Sequence, residues 1–89
     1  MQERDAKLYK NIAKILRKQR EAKNLKFTIF CYENDIATSL LNTIENGNTQ
    51  TYFSNIARVI KALGLTYEEF GKLLDKEEKV NQNISLNDL

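Results

Sequence analysis

The stretch from Ile36 to Gly47, which reads IATSLLNTIENG, constrains the fold more than any other part of the chain. Leu41 and Ile44 recur at helical spacing among small polar residues, which is typical of a short helix with one buried face. Glycine readily adopts the positive φ that closes a helix, and Gly47 is placed to do so. We therefore predict a helix that ends at Glu45, with Ile36, Leu41 and Ile44 facing inward.

A second short helix is predicted just before this one, from about Phe27 or Thr28 to Asn34. Asn34 and Asp35 form a favourable turn pair, because both side chains tolerate turn conformations. Two short helices joined by a turn of three or four residues have the outline of a helix-turn-helix motif. In that motif the second helix, here beginning near Thr38, enters the major groove of double-stranded DNA and reads its base edges.

Small polar side chains supply the candidate DNA contacts. Asparagine pairs well with adenine, and serine and threonine hydroxyls adapt to several bases. Polar side chains at a helix start and in the following loop suit the phosphates. The same residue types also suit a solvated helix face without any ligand. The predicted DNA-binding residues are Thr28, Thr38, Ser39, Asn42, Thr43, Asn46 and Asn48.

The positive charge of the chain is concentrated before this motif. Residues 1–26 contain nine Lys or Arg and three acids, whereas residues 27–57 contain three acids and no Lys or Arg. Neutralising phosphates supplies most non-specific DNA affinity, so a motif without cations predicts modest affinity and a shallow salt dependence. A positive rim around the reading helix would favour DNA, and an acidic or apolar rim would favour a protein partner. The cations available for such a rim are Lys10, Lys14, Lys18, Lys26 and Lys61.

Three further helices complete an all-α prediction. Residues 4–23 form one amphipathic helix, a fourth helix covers residues 52–63, and a fifth runs from a capping box at Thr66 to about Leu74. Residues 1–74 form one domain, and residues 75–89 a polar, flexible tail. The inward-facing residues predicted outside the reading helix are Leu8, Ile12, Ile15, Leu16, Gln19, Ile29, Phe30, Cys31, Phe53, Ile56, Ala57, Ile60, Leu63, Phe70, Leu73 and Leu74.

The composition argues against catalysis. The chain has no His, a single Cys and no Gly-rich phosphate loop, which excludes His-containing zinc sites and Cys–His nucleophiles. Cys31 is predicted as a small core residue. No apolar run is long enough to span a bilayer, and the first ten residues contain no apolar signal core. We expect a cytoplasmic protein that is not an enzyme and that binds no metal or cofactor.

A set of positions across the five predicted helices follows a known pattern, with no gap in the spacing. These positions are Ile12, Leu16, Arg20, Leu25, Phe30, Cys31, Ile36, Leu41, Ile44, Glu45, Gly47, Ile56, Ala62, Leu63, Gly64 and Phe70. On these positions, residues 12–74 resemble the XRE family of lambda-repressor-like (Cro/repressor) helix-turn-helix domains. Residues 1–11, which extend the first helix, and the tail lie outside the resemblance.

The resemblance implies a compact five-helix domain that acts as a transcriptional regulator, usually a repressor, and binds DNA as a homodimer. It also implies that Arg20 pairs with Glu45 and ties the first helix to the end of the reading helix. The fifth helix and the tail are the candidate dimer surface, if the apolar side chains there form an exposed patch. The simpler alternative is that they pack onto the fourth helix. These residues are Tyr67, Phe70, Leu74 and Val80.

Several positions depart from the family pattern. Phe27, or Thr28 in a shifted register, replaces a Gln that usually contacts the DNA backbone, and Ala37 replaces a capping Ser. The loop at residues 48–51 lacks the usual Lys or Arg. An alternative is therefore a helix-turn-helix scaffold used for protein binding, as in an antitoxin or antirepressor partner, with Phe27 and Leu40 exposed as an apolar contact surface.

Overall fold

The structure, a computed structural model, describes the backbone of residues 3–87 and the side chains of residues 5–80. It confirms the all-α prediction of five helices, and the described residues contain no strand. None of the described helices combines the length and apolar character that crossing a bilayer requires. The helices are α1 (Glu3–Ala22), α2 (Phe27–Glu33), α3 (Thr38–Glu45), α4 (Phe53–Ala62) and α5 (Tyr67–Asn87).

Residues in the left-handed conformation separate the helices. Asn24 and Asp35 have φ values of 57° and 54°, and Gly47 and Gly64 have values of 73° and 77°. Each follows the end of a helix, where a positive φ turns the chain away from the helix axis. The Asp35 turn leaves only four residues, 34–37, between α2 and α3, so the two helices pack directly against each other.

α5 starts with a side-chain cap, whereas α2 does not. The backbone N–H of Thr66 donates to Glu69 Oε1 at 3.0 Å, and the N–H of Glu69 donates to Thr66 Oγ1 at 3.1 Å, as the predicted capping box requires. α2 starts at Phe27, as predicted, but Lys26 is its N-cap residue and no side chain caps it. The Thr28 side chain lies within the helix and is free for other contacts.

The core is formed by apolar residues from all five helices and their connections. α1 packs against α3 and α5, and α3 also packs against α2 and α4, so α3 is held from three directions. The buried cluster consists of Ile12, Ile15, Leu16, Phe30, Cys31, Ile36, Leu41, Ile44, Ile56, Val59, Ile60, Leu63, Leu65 and Phe70.

Two residues predicted to face inward are exposed. Ile29 is 53% exposed and Phe53 is 61% exposed. Three consecutive helical residues span about 200° around the axis, so Ile29 cannot share the buried face of both Phe30 and Cys31. Phe53 is the first residue of α4, at the end of its apolar stripe, where neighbouring helices do not cover it.

The fifth helix continues beyond Leu74, where we predicted its end, and runs to Asn87. Lys, Glu and Gln are good helix formers, and residues 75–87 contain no Gly or Pro that would stop the helix. Glu77 also anchors this part of α5 to α1, because Lys14 Nζ lies 2.6 Å from its Oε1. The adjacent Lys14 ammonium group lowers the pKa of Glu77 below its usual range.

Candidate nucleic-acid interface

The outward face of α3 carries four of the predicted contact residues. Thr38, Ser39 and Asn42 are exposed, whereas Thr43 is half-buried. Thr43 Oγ1 donates to the carbonyl oxygen of Ser39 at 2.9 Å, so its hydroxyl proton is already used within the helix. Asn42 therefore offers the most complete set of free donors and acceptors on this face.

The other three predicted residues lie at the edges of α3. Thr28 is exposed on the first turn of α2, and Asn46 is exposed as the C-cap residue of α3. Asn48 is also exposed, but its Oδ1 accepts the backbone N–H of Gln50 at 2.8 Å. Its carbonyl oxygen therefore orders the loop, while its amide N–H groups are still available as donors.

An ion pair supports α3 from behind. Arg20 Nε lies 2.8 Å from Glu45 Oε2, and Arg20 Nη2 lies 3.1 Å from Glu45 Oε1, which is a bidentate arrangement. Arg20 Nη1 also donates to the carbonyl oxygen of Leu25 at 2.7 Å. Hydrogen bonding to Glu45 raises the pKa of Arg20, so the guanidinium stays charged. The pair that the resemblance implied is thus present, and it fixes the end of α3.

Phe27 and Leu40 are not the exposed apolar surface on which the protein-binding alternative rested. Both are half-buried and pack against the core cluster. The Arg20 guanidinium also lies over the Phe27 ring, 5.5 Å from its centroid, which is a cation–π distance. Other residues supply the exposed apolar surface, with Tyr32 88% and Tyr52 77% exposed.

A groove of about 590 Å³ lies beside the first turn of α3. Thr28 and Thr38 line it together with Asp35, Leu40 and the exposed Arg58 of α4. We did not predict Arg58 as part of the site. The apolar spacing of α4 could have indicated that Arg58 is exposed, but only the packing of α4 on α3 places it near Thr38.

The basic face of α1 reaches the other end of α3. Lys10, Lys14 and Arg17 are exposed and lie beside Asn46. Arg17 Nε also lies 3.5 Å from Glu45 Oε1, a contact that we did not predict. Cations therefore flank α3 at both ends, with Arg58 at its start and α1 at its end.

Two of the predicted rim cations lie elsewhere. Lys18 lines a groove between α1 and α5 with Leu73. Lys61 Nζ lies 4.1 Å from the ring centroid of Tyr67, at the junction of α4 and α5. Arg58 and one face of α1 therefore line the two ends of α3, and the fifth predicted cation, Lys26, is exposed at the N-cap of α2.

The described residues contain no group of His, Cys, Asp or Glu side chains that could hold a metal ion. Cys31 is 1% exposed, and burial raises the pKa of its thiol. A buried, protonated thiol is a poor nucleophile and a poor metal ligand. Cys31 therefore acts as a core residue.

Comparisons with known protein families, with curated proteins and with solved structures give no significant match to this chain.

Proposed function

We propose that this protein is a sequence-specific DNA-binding regulator, in which α2 and α3 form a helix-turn-helix and α3 reads the major groove. The observation that carries the proposal is the position of α3. Its polar face is exposed, its buried face is fixed by the core and by Arg20, and cations lie at both of its ends.

Side-chain chemistry supports this role for α3. Asn42 can form two hydrogen bonds with adenine, and the hydroxyls of Thr38 and Ser39 suit several base edges. An eight-residue helix is about 12 Å long, which is similar to the width of the major groove. Arg58 and the α1 cations would supply the attraction to phosphates that α2 and α3 lack.

The family resemblance also favours a repressor that binds as a homodimer. The apolar patch that we predicted for this dimer is smaller than expected, because Phe70 is 6% exposed and Leu74 is half-buried. Tyr67 and Val80 remain exposed on α5, at 52% and 44%. Sedimentation of the free protein and of its DNA complex tests the dimer.

A second candidate function is protein binding, and a specific observation favours it. Ile29 and Tyr32 are exposed one turn apart on α2, and Tyr52 and Phe53 are exposed at the start of α4. Exposed aromatic residues are enriched at protein interfaces. These two pairs differ from Phe27 and Leu40, the residues that the sequence suggested.

Fluorescence anisotropy with random-sequence duplex DNA, at low and moderate salt, separates the two functions. DNA binding that weakens with salt supports the proposal, and selection from a random library then identifies the preferred site. Asn42→Ala should lower the preference for that site, whereas Gln19→Ala, an amide on α1 near α5, should not. Absence of binding at low salt would contradict the proposal and favour a protein partner.

A further inference from the structure

A small cavity lies where α1 crosses the end of α3. It has a volume of about 240 Å³, and Lys10, Lys14, Arg17, Glu45 and Asn46 are among its lining residues. Three of these side chains carry positive charge and one carries negative charge. The cavity is open to solvent beside the C-cap of α3.

The negative charge in this cavity is already compensated. Arg20, outside the cavity, binds the Glu45 carboxylate with two hydrogen bonds, and the Glu45 side chain is only 3% exposed. Lys14 forms an ion pair with Glu77 of α5. No carboxylate among the described residues pairs with Lys10, so Lys10 and Arg17 give the cavity an excess of positive charge.

The hydrogen-bond donors available in this cavity are side-chain groups, because the nearby backbone N–H groups are already used. The backbone N–H groups of Asn46, Gly47 and Asn48 all donate to carbonyl oxygens of α3, at 3.0, 3.0 and 3.2 Å. Arg17 uses Nε towards Glu45, at the long distance of 3.5 Å, and its Nη groups provide further N–H donors. Lys10 adds an ammonium group with three donors.

The two walls of the cavity are fixed relative to each other. A Cβ atom built on Gly47 would lie 3.2 Å from Lys10 Cα, which is closer than most real contacts. The backbones of α1 and of the loop after α3 therefore pack directly together. Lys10 and Arg17, two turns apart on α1, are held at a set distance from Asn46.

We propose that this cavity binds a phosphodiester group of the DNA backbone, with Lys10 and Arg17 as its principal contacts and Asn46 as a third. This inference rests on the proposed function. With α3 in the major groove, the DNA backbone passes close to an end of the reading helix. Cations on α1 then replace the Lys or Arg absent from the loop at residues 48–51.

The slope of log affinity against log salt tests this site, with a random-sequence duplex as the ligand. Each phosphate contact contributes about −0.9 to the slope. We expect Lys10→Gln to make the slope shallower by about one, and Lys10→Gln with Arg17→Gln by about two. Lys18→Gln is the matched control, because it removes the same charge from the α5 side of α1.

The possible results distinguish failure of the phosphate site from failure of the proposed function. In one result, the wild type binds DNA while Lys10→Gln and Lys18→Gln give equal slopes of log affinity against log salt. That result would overturn the phosphate site, because α1 would then act only through its overall charge. Absence of wild-type binding at low salt would overturn the proposed function and the site with it. The single variant Lys10→Gln removes no observed ion pair, so its folding should match that of the wild type in a thermal melt.

Discussion

The guanidinium of Arg20 holds both carboxylate oxygens of Glu45, at 2.8 and 3.1 Å, and so joins the first helix to the last residue of the third. Both side chains are largely buried, at 11% and 3% exposure. Two charges removed from water stabilise the fold only while they remain together.

Arg20→Ala should therefore lower the free energy of unfolding by about 3–5 kcal/mol, because it leaves the Glu45 charge buried without its main partner. Urea denaturation measures the loss. The double variant Arg20→Met with Glu45→Leu should recover most of it, since no buried charge remains. An unchanged unfolding midpoint in Arg20→Ala would show that Arg17 or water compensates.

Asn42→Ala with Thr43→Ala should abolish the preference for a selected site and preserve the melting temperature. Asn42 is exposed, and Thr43 makes only a hydrogen bond within its own helix. The measurement is the ratio of affinities for the selected duplex and a scrambled duplex, where lost base contacts cost about 1–3 kcal/mol each. An unchanged ratio would exclude α3 as the reading helix.

Sequence spacing predicted the five helices and most of the core, because apolar periodicity and the residues that end helices act locally. It failed at Ile29, where adjacent apolar residues compete for one face of a two-turn helix. It also failed at the end of α5, where contact with Lys14 of α1 supports a polar segment.

The surroundings of α3 were less predictable than α3 itself. Arg58 is far from Thr38 in the sequence, and only the packing of α4 places it in the same groove. The Arg20 guanidinium likewise lies over the ring of Phe27, a residue of the next helix. These are relations between helices, and local periodicity contains no information about them.

Thr51→Val should raise the melting temperature. The Thr51 hydroxyl is buried and has no hydrogen-bond partner among the residues that the structure describes. Replacing an unpaired buried hydroxyl by a methyl group of similar shape should gain about 1 kcal/mol, or about 4–8 °C in a domain of this size. Thr51→Ser, which keeps the hydroxyl and loses the methyl group, should lower the melting temperature. A lower melting temperature for Thr51→Val would reveal a hydrogen bond in solution.

Glu69 should make the stability of α5 depend on pH. Hydrogen bonds from the backbone and side chain of Thr66 lower the pKa of Glu69. A lowered folded-state pKa gives stability that is present above the unfolded-state pKa and is lost as pH falls through the folded value. Acidification from about pH 6 to about pH 3 should therefore weaken the start of α5.

Glu69→Gln isolates this effect, because Gln keeps the capping acceptor but does not titrate. Thermal melts should show a smaller loss of stability on acidification in Glu69→Gln than in the wild type. Glu68→Gln is the matched control, since Glu68 makes an exposed contact with Lys72 at 3.5 Å. Equal acid sensitivity in Glu69→Gln and the wild type would mean that the capping box does not respond to pH.

The close packing of Gly47 on Lys10 affects how α3 can meet any ligand. The loop after α3 cannot move inward, and the Arg20–Glu45 pair prevents the last turn of α3 from unwinding. The backbone of α3 and of the loop that follows it is therefore ordered before association, and the entropy lost on binding is mainly that of the exposed side chains. A ligand would thus meet a backbone surface that is already in place, so a ligand that matches it should bind more tightly than one that requires α3 to move.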